Sequence, residues 1–296
     1  MEYNDFLQCV QERTREAAGE GGSVTINHII KNNGCELDGL VIMEEGSNIS
    51  PTIYLNNFFE QYQDGRVLEE IVGEIKQIYH ENKERISVNP AYFKDFKQVK
   101  NQIVYKIINY EKNKKLLERV PYKKILDLAV VFYCLIDQQS DGNATALIYN
   151  SHVEAWKVME DDVYQAAVEN TPKLLESTIR PMSAIIKEMM SKEAVEDCSD
   201  YAANEMFVLT NRAKINGASC ILYENVLKNF AAKMDCDLYI LPSSIHEVIL
   251  LPKLPTFDKD ELAGMVREVN SEGVSKEEIL SDHVYVYNRE DGLISL

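Results

Sequence analysis

Between positions 67 and 79 the apolar residues Val67, Leu68, Ile71, Val72, Ile75, Ile78 and Tyr79 recur three and four places apart, with Glu69, Glu70, Glu74, Lys76 and Gln77 between them. That period matches the turn of an α-helix and predicts the clearest amphipathic helix in the chain. A first helix is expected over residues 3–18, ended by Gly19, Gly21 and Gly22, because clustered glycines release the backbone from helical geometry. Residues 23–30 and 37–44 read as two strands around Asn32-Asn33-Gly34, a strong hairpin turn. Residues 52–55 read as a short extended piece leading into residues 56–62. Ile103, Val104, Ile107 and Ile108 carry a helical spacing as far as Pro121.

Beyond Pro121 the pattern changes. Residues 128–136 are continuously apolar and rich in Val, Phe, Tyr and Cys, which suits a buried strand. Asp141-Gly142 marks a hairpin, 144–149 the returning strand, and 151–158 and 161–170 two helices. Strands follow at 206–210, 218–223, 238–241, 245–251 and 284–287, with helices around Val226 to Met234 and over 259–269. The segments 144–149 (ATALIY) and 218–223 (ASCILY) share the order small, hydroxyl, small, apolar, apolar, Tyr. A ββα repeat is therefore expected. Strands joined by hairpins and mixed with helices argue an α+β fold with a mostly antiparallel sheet. The division expected is a mainly helical N-terminal region at 1–120 with a small β-hairpin, then an α+β domain at 121–296, with the polar stretch 192–204 as a linker.

The chain has 296 residues, and its 31 Lys and Arg against 48 Asp and Glu leave a net charge of −17. Such a charge repels phosphate backbones at long range, so nucleic acid is an unlikely partner. The charge is uneven, however. Residues 94–124 hold ten Lys or Arg and three acids, with Tyr92, Phe93, Phe96, Tyr105, Tyr110 and Tyr122 interleaved. The simplest reading is a solvated basic face; the other is a surface on which bases stack. No apolar run approaches the roughly 20 residues of a membrane span, and the acidic N-terminus lacks the plan of a secretory signal. Six dispersed cysteines without a CxxC pair suit reduced thiols in the cytoplasm.

Few residues offer chemistry. The densest cluster is Pro242-Ser243-Ser244-Ile245-His246-Glu247, with hydroxyls, an imidazole and a carboxylate at a strand entrance. Ser244, His246 and Glu247 are the candidate catalytic residues of a hydrolase, with Asp282 or His283 nearby. Strand alternation would place Ser244 and His246 on one face and Glu247 on the other. The structural alternative has Ser243 and Ser244 bonding turn amides and His246 satisfying a polar neighbour. Leu250 stands where the HExxH zinc helix needs its second histidine,. A metal set of His246, His283, Asp282 and His152 or Glu154 has no supporting ligand spacing, and His152 at a helix start has a cheaper role in capping. No GxxxxGK[ST], GxGxxG or GxSxG occurs, so neither familiar phosphate cradle nor nucleophile elbow is expected. No cofactor is expected.

Three stretches carry a resemblance: IINYEKN at 107–113 through LDLA at 126–129; FVLTN at 207–211 through YILPSSIHE at 239–247; and LSDHVY at 280–285. Together they resemble an uncharacterised domain-of-unknown-function family of anaerobic gut bacteria, over nearly the whole chain. The resemblance implies a bacterial cytosolic protein and carries no catalytic residue. The functional expectation is a non-catalytic cytoplasmic interaction or regulatory protein, with a protein partner or a second copy of itself, and with the Ser244, His246 and Glu247 hydrolase as the alternative.

Overall fold

The structure, a computed structural model, describes residues 1–46, 50–83, 92–139, 142–189, 206–242 and 244–296. The expected linker at 192–204 and Ser243 lie outside the described residues. Two compact units divide the chain, Met1–Asp95 and Phe96–Leu296.

The first unit opens with α1 (Tyr3–Thr14) and a 3₁₀ turn at Arg15–Ala18, followed by β1 (Ser23–Ile30), β2 (Glu36–Met43) and β3 (Thr52–Tyr54). These strands form an antiparallel sheet in the order β1-β2-β3. Asn33 and Gly34 both take positive φ, 58° and 68°, as a tight hairpin requires. Helices α2 (Asn56–Gln63) and α3 (Leu68–Lys83) complete the unit. Leu68, Ile71, Val72, Ile75 and Tyr79 of α3 are buried against Phe6, Val10, Leu40 and Ile42, so the amphipathic stripe read from the sequence packs, except at Val67, which precedes the helix and is exposed.

The second unit is α+β. It runs through α4 (Phe96–Val99), β4 (Ile103–Asn109), α5 (Lys114–Leu117), β5 (Tyr122–Ile125), β6 (Leu128–Gln139) and β7 (Gly142–Leu147). Strand β6 pairs with β4 on one edge and with β5 and then β7 on the other. Helices α6 (Asn150–Trp156) and α7 (Glu160–Leu174) follow. A six-stranded sheet comes next, built from β8 (Ser177–Pro181), β9 (Phe207–Asn211), β10 (Leu238–Leu241), β11 (Val248–Pro252), β12 (Tyr285–Tyr287) and β13 (Ile294–Ser295). Its order is β13-β12-β10-β11-β9-β8. Interspersed are α8 (Met182–Met189), α9 (Val226–Met234) and α10 (Lys259–Glu272). Every strand pairing among the described residues is antiparallel. Leu262 and Val266 of α10 pack on Tyr239, Leu241 and Leu251.

Three expectations need correction. Ile103 to Ile108 form strand β4 and not a helix: six of its seven residues are buried, and a strand covered on both faces shows no alternation. Residues 218–223 are not a strand, because Gly217–Leu222 is a buried 3₁₀ segment, which removes the second copy of the ββα repeat. Finally, β11 begins at Val248, so residues 245–247 belong to a bend and strand alternation does not govern Ser244, His246 and Glu247. By packing the chain divides at 95/96, and β4 pairs with β6 along its whole length.

Candidate functional site

At the end of β9 the side chain of Asn211 is wholly buried and acts as a second backbone for the loop that follows. Its Nδ2 donates to the Ile215 carbonyl at 2.7 Å and its Oδ1 accepts the Ile215 amide at 3.2 Å. Around this amide the chain passes through two left-handed residues, Lys214 with φ 55° and Asn216 with φ 52°. Such conformations cost a side-chain-bearing residue about 1 kcal/mol or more and persist only when their surroundings impose them. Gly217 then passes so close to β9 that an added Cβ would lie 2.2 Å from Thr210 Oγ1, 2.5 Å from the His246 carbonyl and 2.8 Å from the Asn211 amide.

The bend at 244–247 is stitched to this loop. The Thr210 hydroxyl donates to the His246 carbonyl at 2.7 Å, the Asn216 amide donates to His246 Nδ1 at 3.2 Å, and the Ala218 amide donates to the Ile245 carbonyl at 3.2 Å. Within the bend, Ser244 Oγ accepts the His246 amide at 3.0 Å. His246 Nε2 lies 3.4 Å from Glu278 Oε1. A neutral imidazole has one donor and one acceptor nitrogen. Since Nδ1 accepts from Asn216, the proton sits on Nε2 and faces Glu278. Both ring nitrogens are thereby engaged.

Of the three candidate residues, Ser244 and His246 meet through the backbone of the bend, while Glu247 is exposed and lines a groove. Asp282 accepts from Asn270 Nδ2 at 2.9 Å. His152 accepts the Tyr149 amide at 3.1 Å through Nδ1, the capping role, and burial lowers its pKa. No three His, Cys, Asp or Glu side chains among the described residues gather as a metal site. Burial pushes the Cys134 and Cys220 thiols up to about 12, as for small apolar side chains.

The groove has a volume of about 610 Å³. Thr178 and Arg180 of β8, opposite Thr210 and Val208 of β9, form its floor. Ile185, Glu188 and Met189 of α8 form one side, and Arg212, Lys214 and Glu247 the other lining. Arg180 pairs with Glu188, and Arg212 with Glu176 at 3.0 Å. Lys214 makes no ion pair within 4.0 Å among the described residues. Thr and Arg on a sheet face are expected where that face meets water, and here α10 covers the other end of the sheet.

A second polar cluster joins the β5–β6 turn to the C-terminal segment. Asp127 accepts the Ser281 hydroxyl at 2.6 Å and the Tyr285 hydroxyl at 2.9 Å, and His283 Nδ1 lies 3.1 Å from the same carboxylate. Ser281 and Tyr285 are fully buried, and burial raises the Tyr285 pKa. The hydroxyl here bonds the carboxylate directly, unlike a relay in which the imidazole stands between them. Sequence reasoning named His283 and missed Asp127, Ser281 and Tyr285, because no local spacing joins positions more than 150 apart.

No helix among the described residues is long and apolar enough to cross a membrane. No curated protein and no solved structure matches the chain. A model of the family of unknown function DUF5688 matches residues 3–289, and the chain belongs to that family.

Proposed function

We propose that this protein is a non-catalytic interaction module that holds an extended segment of a partner protein in the groove between β8, β9 and α8, with an acidic side chain of that segment on Lys214. The observation that carries this reading is the loop at 212–216, held in two left-handed residues by a buried Asn211 and by the His246 ring. Strain kept in this way presents Arg212 and Lys214 in a fixed geometry. Strand β8 pairs only with β9 and ends the sheet among the described residues, so an extended peptide can add to that edge. Ile185, Met189 and Val208 give apolar contact beside the charge. The roles of Ser244 and His246 in holding the bend support the same reading. The dispersed cysteines, the acidic composition and the resemblance noted above support a cytoplasmic protein of an anaerobic gut bacterium.

A display selection of random peptides against the full chain, followed by fluorescence-anisotropy titration of the selected sequences, tests the proposal. Acidic and apolar peptides should emerge, and Lys214→Glu should weaken them at least tenfold. Peptides indifferent to Lys214→Glu, a groove occupied by a second copy of the chain, or an ester or phosphoester hydrolysis lost in Ser244→Ala would each overturn it. The last result would favour the hydrolase built on Ser244, His246 and Glu247.

A further inference from the structure

A cavity of about 260 Å³, lined by Tyr110, Lys114, Leu117, Glu118 and Tyr122, opens inside the basic segment that the groove does not use. The two tyrosine rings stand 6.1 Å apart at 48°, both half-buried. The Lys124 ammonium lies 4.0 Å from the centre of the Tyr110 ring. Lys112, Lys115, Arg119 and Lys124 are exposed, and none of them makes a carboxylate ion pair among the described residues, whereas Lys114 and Lys123 are neutralised by Glu111 and Asp161. Glu118 lines the cavity and is likewise without an ion pair among the described residues.

We propose that this cavity binds one base of a single-stranded nucleic acid. Aromatic faces beside unneutralised cations are the combination that holds single strands, the rings stacking on bases and the cations meeting phosphates. A carboxylate among them accepts from an exocyclic amine, as acidic side chains do with cytosine. The cavity has room for one planar ring system and is below the size of most small-molecule pockets. The net charge of −17 argues against this only at long range, because at physiological salt charges more than about 8 Å away are largely screened. The surface therefore binds at modest salt without making the whole chain a polyanion binder.

Fluorescence anisotropy of the full chain with labelled (dC)12, and with an abasic strand of equal length carrying the same phosphates, separates stacking from charge. The (dC)12 strand should bind at 50 mM salt at least tenfold more tightly than the abasic strand. With four cations engaged, the affinity should fall with salt at a log–log slope of about −3. Lys112→Glu with Lys115→Glu should abolish binding. Tyr122→Leu, which keeps the apolar packing, should erase the preference over the abasic strand; circular dichroism of each variant checks that the fold is kept. Equal binding of both strands would mean a plain polyanion surface and overturn the proposal. So would the absence of binding at 50 mM salt, or a preference for (dC)12 that survives Tyr122→Leu.

Discussion

The backbone amide of Asn216 donates to Nδ1 of His246 over 3.2 Å, joining a left-handed loop residue to a ring thirty positions away. Among the described residues the ring is the partner of that amide. Removing it by His246→Ala leaves a largely buried N–H unsatisfied and should cost about 1–3 kcal/mol. Urea denaturation measures the loss, and the loop carrying Arg212 and Lys214 should loosen with it, seen as faster amide exchange over 212–217.

Gly217 and Gly264 make a pair of opposite expectations. Alanine at 217 would press on Thr210, the His246 carbonyl and the Asn211 amide at 2.2–2.8 Å, two of them backbone atoms that cannot step aside, and should destabilise by about 1–3 kcal/mol. Alanine at 264, inside α10 with nothing within 4 Å, should stabilise by about 0.5–1 kcal/mol through helix propensity. Thermal melting of the two variants reads both signs.

Asp127 gathers donors from Ser281, Tyr285 and His283. Asp127→Ala strands two buried hydroxyls and should cost about 2–5 kcal/mol. Asp127→Asn keeps the shape and one acceptor oxygen, and should cost less. Equilibrium unfolding of the two variants ranks them.

The histidines predict opposite pH dependences in the two units. His28 has its pKa raised, chiefly by its hydrogen bond to Asp38, 3.0 Å away, with Glu36 adding to it. Its contribution is therefore complete below the unfolded value near 6.5 and lost as pH rises through the higher folded value. His152 has its pKa lowered by burial, so its contribution is complete above the unfolded value and lost as pH falls toward the folded one. Unfolding midpoints between pH 5 and 8 should lose the first dependence in His28→Gln and the second in His152→Gln.

Where burial alternates or follows one helical stripe, the sequence is legible. Helix α3 and strands β1 and β2 with their Asn-Gly turn could be read in this way, and strand β6 from its unbroken run of β-branched and aromatic residues,. The failures share a cause. Strand β4 and the 3₁₀ segment at Gly217–Leu222 are buried nearly throughout, so neither shows a period, and packing rather than pattern decides their conformation. Of the candidate site, the bend around Ser244 and His246 was legible as a polar cluster at a turn. The groove was not, because it takes Thr178, Arg180, Val208 and Lys214 from strands and a loop brought together only by sheet order. Asp127 gave one weak signal, a lone carboxylate between Leu126 and Leu128.

The role of His246 as a support for the backbone is tested most directly by long-range ¹H–¹⁵N NMR of its imidazole at neutral pH. The account predicts a ring protonated on Nε2, with Nδ1 unprotonated and shifted by the Asn216 hydrogen bond. A ring protonated on Nδ1 with a free Nε2 would contradict it.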